Sequence, residues 1–116
     1  EMDFANRLVS YKVVEWELSR MQEAMTELQA QGKTVPPSVE LRLSSLEIRR
    51  DMMQVQAEIG QLTPESYLQG LRDAIPREKA RSAELKALPG GARRALDAFK
   101  HAQMMAAELR EAEAEM

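Results

Sequence analysis

The chain has no cysteine and a single histidine, His101. Disulfide staples, thiolate zinc fingers and thiol chemistry are therefore excluded, and a reducing, cytoplasmic setting is the expectation. Aromatic residues amount to only 4%, which removes many of the side chains that favour sheets. No apolar run approaches the ~20 residues a membrane span requires. There is no phosphate-cradling loop either: Gly90-Gly91 is followed by Ala92-Arg93, without the Lys-Ser/Thr that such a loop needs, and it reads as a turn between helices. The serines are scattered without a base in reach, so nucleophilic catalysis has no support. A metal at His101 would need an all-carboxylate partner set, and beside Lys100 this histidine reads as a solvated helix residue. The expectation is a non-enzymatic chain with no catalytic, cofactor or metal site.

What is present is the vocabulary of helices. Ala, Leu, Glu, Gln, Met, Lys and Arg dominate 116 residues that are 44% hydrophobic and 30% charged, enough to bury a modest core. A first segment, Asp3 to Gln31, carries Tyr11, Val14, Leu18, Met21, Met25 and Leu28 at alternating spacings of three and four, which is a heptad stripe. Arg7 interrupts its backward extension to Phe4. Gly32 and the Pro36-Pro37 pair predict a turn. The next segment, Ser38 to Gln61, has two stripes. Leu41, Ile48, Met52, Val55, Ile59 and Leu62 form one, with Ser45 as its polar member, and Val39, Leu43, Leu46 and Met53 form another on nearly the opposite side. A helix apolar on both sides is expected between two neighbours, with Leu46 and Ile48 both buried and Leu41 to Ile48 against Met21 to Leu28.

Thr63-Pro64-Glu65 marks a third helix start, with Thr63 as N-cap and Pro64 at the first helical position. Pro76 predicts a kink or break near Ala74 to Pro76. After Pro89-Gly90-Gly91 a fourth segment places Ala92, Ala95, Phe99, Ala102, Ala106 and Leu109 in a seam. The expected fold is all-α: four antiparallel helices, arranged as helical hairpins in a coiled coil or as an up-down bundle. We read residues 1–116 as a single helical domain, hairpin 1 about 3–61 and hairpin 2 about 64–116, excised from a larger protein.

Charge and unplaced apolar residues supply the candidate sites. Residues 72–100 hold eight basic and four acidic side chains, a local net charge of +4 within a chain of net charge −3. Arg81, Lys86, Arg93, Arg94 and Lys100 are therefore candidate contacts for an acidic partner. Nucleic acid is disfavoured, because the whole chain is acidic and no aromatics interleave the basic region. Membrane contact is at most peripheral, because no helix joins this charge to a strongly apolar face. Val9, Val13 and Trp16 form a second stripe on the first helix, to be covered within the domain or to serve as an anchor for a partner or for a homodimer. Met104 and Met105 are flexible thioethers suited to an adaptable contact.

Tyr67-Leu68-Gln69 opening a helix, then Ala83-Glu84-Leu85-Lys86, a glycine turn, Ala92-Arg93-Arg94-Ala95 and Phe99-Lys100, resembles the helical hairpins of the coiled-coil-and-C2-domain proteins. That resemblance covers Tyr67 to Leu109. It implies a protein-binding module whose basic hairpin docks on an acidic ESCRT-III subunit at endosomes, with Arg93, Arg94 and Lys100 as contacts. The functional expectation is a non-enzymatic interaction module of a cytoplasmic, endosome-associated scaffold in membrane trafficking. Its rival is a structural coiled coil whose role is self-association.

Overall fold

A computed structural model describes residues 2–115, and among them every regular element is helical: α1 (Met2–Asn6), α2 (Tyr11–Ala30), α3 (Pro37–Glu58), α4 (Pro64–Lys86) and α5 (Ala92–Ala114). The chain divides into two compact units, Glu1–Leu62 and Thr63–Met116. None of these helices is long and apolar enough to cross a membrane.

In the first unit the segment expected as one helix is two. Ser10 has extended backbone, and its side chain accepts a hydrogen bond from the Val13 N–H at 3.2 Å, so it caps α2 as a new start. The interruption falls where Arg7 stands on the apolar seam. It frees the Leu8 carbonyl, which accepts from Arg49 Nε of α3 at 2.8 Å. Burial lowers the pKa of that guanidinium from its ordinary value, with Tyr11 opposing the shift, and an arginine stays charged regardless. With the chain broken there, Ala5 and Leu8 both turn into the core.

α2 ends on a left-handed glycine. Gly32 has φ 71°, its N–H donates to Gln29 O at 3.0 Å, and the Lys33 N–H donates to Leu28 O at 2.9 Å, which satisfies two of the orphan carbonyls at the helix end. α3 returns antiparallel, as two ties show: Arg42 lies 3.9 Å from Glu17, and Arg49 reaches Leu8. This register sets Leu46 level with Val13 and Val14, and all three are fully buried. Leu41 to Ile48 thus runs beside the first half of α2 rather than beside Met21 to Leu28. Glu17 is buried with them, 3.4 Å from Arg20, while the Arg42 guanidinium lies over the Phe4 ring at 3.7 Å. A buried carboxylate is tolerable because two cations and their hydrogen-bonding capacity face it.

α3 does not bury both faces. Leu46 and Met53 of one stripe are in the core, but Leu41, Ile48, Met52, Val55 and Ile59 of the other are half-exposed or more. The expectation of a central helix is corrected: α1 and α2 both pack on the Leu46 side of α3, so that side alone is covered.

The second unit is a closer hairpin. Thr63 and Ser66 form a reciprocal capping box, Thr63 Oγ1 accepting from the Ser66 N–H at 3.1 Å and Ser66 Oγ from the Thr63 N–H at 2.9 Å. α4 then runs through Pro76 without a break. Pro76 itself is exposed, so the Arg72 carbonyl deprived of its usual partner lies on the solvent side, and burial of Leu71, Ala74 and Leu85 against α5 carries the helix across.

α5 faces α4 through Ala95, Ala98, His101, Ala102 and Met105. The seam is rotated from the expected one: Ala98 and Met105 replace Phe99 and Ala106, and Phe99 is 47% exposed. Methyl groups at Ala95, Ala98 and Ala102 let the helices approach closely, and such a gap has no depth for a phenyl ring. Antiparallel ties run along the hairpin. Ser82 Oγ donates to Ala95 O at 2.7 Å, Tyr67 Oη donates to Glu108, and Arg72 meets Glu113 at 3.3 Å. Gly91 closes the turn, and a Cβ there would overlap the Leu85 carbonyl oxygen.

Candidate protein interaction surfaces

The basic candidates separate once the helices are in place. Arg93, Arg94 and Lys100 are exposed on α5, and Lys86 is exposed on the last turn of α4. Arg81 is half-buried and lies 3.5 Å from Glu78, so it belongs to an internal pair. The same carboxylate lies 3.9 Å from His101 Nδ1. His101 is buried, not solvated as expected, because the rotated seam turns it toward α4. Helical spacing sets Arg93, Leu96 and Lys100 on one line, nearly opposite the buried Ala98 and Ala102, with Phe99 flanking it. Leu96 is 68% exposed and Leu88, in the turn, 55%. The outer face of hairpin 2 therefore combines cationic groups with uncovered apolar side chains.

Position adds to this electrostatics. Arg93 and Arg94 occupy the first turn of α5, where there is no acidic residue and no side-chain cap. Cations at that end oppose the helix dipole. The free N–H groups and both guanidiniums thus present one positive region, and helix stability does not explain the arrangement.

The apolar candidates of the first helix are partly core. Val13 is buried and is corrected from contact to core residue, because α2 turns it toward Leu46; Val9 is half-buried beside the Ser10 cap. Trp16 is half-buried, and Arg20 stacks on its ring at 4.5 Å from the centroid. On α5 Met105 is likewise a core residue, and Met104 is half-buried. The surface that sequence reasoning missed is the Leu41 to Ile59 stripe of α3. Both stripes of α3 have helical spacing, so the pattern alone does not separate the covered one from the exposed one.

Among the described residues no group of three or more histidines and carboxylates could hold a metal ion. No family model, no curated protein and no solved structure matches this chain.

Proposed function

We propose that this chain is a non-enzymatic protein-binding module of a cytoplasmic scaffold, built as four antiparallel helices in two hairpins, and that hairpin 2 docks an acidic protein segment. One observation carries the reading: Arg93, Leu96, Phe99 and Lys100 are all exposed along one side of α5, beside the basic first turn of that helix. The leucine and phenylalanine supply area to cover, and the basic groups select the sign of the partner. An amphipathic helix with acidic residues beside a leucine stripe is complementary to such a face. The resemblance of Tyr67 to Leu109 to scaffold hairpins supports a setting at endosomal membranes.

The test is binding of a synthetic acidic amphipathic helix, compared with a counterpart in which every glutamate is lysine. The acidic peptide should bind and weaken as salt rises, because the charges are screened over ~8–10 Å. Arg93→Glu with Arg94→Glu should weaken it by more than about 1 kcal/mol, mainly through slower association, with helicity unchanged. Equal binding of both peptides, or binding indifferent to the double substitution, would rule this surface out.

A further inference from the structure

The break between α1 and α2 is one that the local sequence does not require. No glycine or proline stands between Met2 and Gln31, and the apolar stripe through Tyr11 reaches back to Phe4 with Arg7 as its polar member. Residues 2–10 are thus compatible with one helix running into α2. The structure folds them back instead. Phe4 lies under the Arg42 guanidinium, and the Leu8 carbonyl accepts from Arg49, two turns further along α3. α1 therefore runs beside α3 in the same direction, and the chain reverses between Arg7 and Ser10 to enter α2.

We infer that α1 is a strap with two settings: closed, as described, and open, with residues 2–10 continuing α2 as a single helix. The strap lies in hairpin 1 and is independent of the acidic-partner reading. Both settings draw on the same groups. When closed, the Leu8 carbonyl accepts from Arg49 and the Val13 N–H donates to Ser10 Oγ. In a continuous helix the Leu8 carbonyl accepts from the Lys12 N–H, and the Val13 N–H donates to the Val9 carbonyl. The reversal that permits the first pair of bonds forbids the second, so the change is a switch between two arrangements rather than a gradual bend.

The balance is between contacts of different kinds. The closed setting keeps Ala5 and Leu8 buried, the Phe4 ring under Arg42 and the cap at Ser10. The open setting forfeits these and forms a helical bond for each N–H from Val9 to Val13. Five residues are too few for a helix to persist unsupported, so α1 stays helical only when docked on α3 or joined to α2. Opening also has a consequence inside the unit. The guanidinium that Phe4 covers is the one facing the buried Glu17 carboxylate. The closed strap shields that charge pair, and the open one admits water to it.

The chain has no cysteine, so spin labels attach only where cysteines are introduced. Asn6 and Ser38 are both exposed, and Asn6→Cys with Ser38→Cys reads the setting by pulsed dipolar spectroscopy. Closed, Asn6 stands between the levels of Arg42 and Arg49 on α3. Open, the register that sets Val13 level with Leu46 places it near Met53, roughly 10 Å further from Ser38 at helical rise. Two discrete distances are expected, with the shorter dominant. Ser10→Ala with Arg49→Met removes the cap and the Leu8 tie, and should raise the longer population at least about threefold without loss of helicity; Ser10→Ala alone should raise it less. Tyr11→Pro should abolish it. Ser10 already has the extended backbone that suits the residue before a proline, and the first helical position accepts one, but in a continuous helix the ring clashes with the Arg7 carbonyl. A single short distance in every variant makes α1 a fixed cover and overturns the inference. A broad spread of distances with falling helicity is fraying and overturns it as well. A long distance that survives Tyr11→Pro overturns the continuous helix.

Discussion

The two hairpins solve the same packing problem with different side chains. Hairpin 1 fills its interface with Val13, Val14, Leu18, Leu46 and Met53, and bolts it with long arginine side chains that reach Glu17 and Leu8. Hairpin 2 relies on Ala74, Ala95, Ala98, Ala102 and Gly91, with short ties such as Ser82 to Ala95. Large side chains hold helices apart and leave volume that must stay filled. Small ones hold them close and leave no volume to add to. The two units should therefore fail under opposite substitutions.

The largest effect is expected in hairpin 1. Leu46→Ala opens a cavity in a fully buried site and should cost roughly 2–5 kcal/mol, read as a lower denaturation midpoint. Next is the reverse change in hairpin 2. Ala98→Leu and, separately, Gly91→Ala each force atoms into a closed space and should cost about 1–3 kcal/mol by urea unfolding. If Ala98→Leu stabilises the chain instead, the close-approach account of hairpin 2 is wrong. Smaller again is Thr63→Ala, which removes half of the capping box and should cost about 1 kcal/mol, visible as increased amide exchange in the first turn of α4. The counterpart in hairpin 1 is Ser10, whose side chain caps α2 by accepting from the Val13 N–H, whereas α3 follows Pro36 with no side-chain cap to lose. The smallest effect belongs to Ile48→Ala, which should change the stability of the isolated monomer by less than about 0.5 kcal/mol. A cost near that of Leu46→Ala would mean that the outer stripe is covered within the chain.

Helix content, the three turns and the Thr63 start are legible in the sequence because each rests on local chemistry: Gly32 in the left-handed region, Pro37 and Pro64 at first helical positions, a hydroxyl at the cap. Ser10 carries the same chemistry, but the stripe continuing through Tyr11 hides it, and only the tie from Arg49 shows why the break is tolerated. At Pro76 the break that the sequence allows does not occur, since the contacts that carry α4 across it come from α5. Which apolar stripe faces inward is the hardest to read. On α3 both stripes have helical spacing, and α1, created by the Ser10 break, adds a second neighbour to the Leu46 side. On α5 the choice between Phe99 and Ala98 turns on interhelical distance, which no single-helix pattern encodes. Of the site residues, those that are polar and near a helix end, Arg93, Arg94 and Lys86, are exposed as a surface role requires. The apolar ones divide, Val13 and Met105 going to the core.

The bond from Ser82 to Ala95 has a kinetic side. It joins residues only thirteen apart, across a turn whose glycine already sits against the Leu85 carbonyl. Closing so short a loop sacrifices little chain entropy, and contacts this local form early. Hairpin 2 is thus built to begin folding at its turn, zipping outward toward Tyr67 and Glu108. In hairpin 1 the tie from Arg42 to Glu17 spans twenty-five residues, so its closure sacrifices more chain entropy.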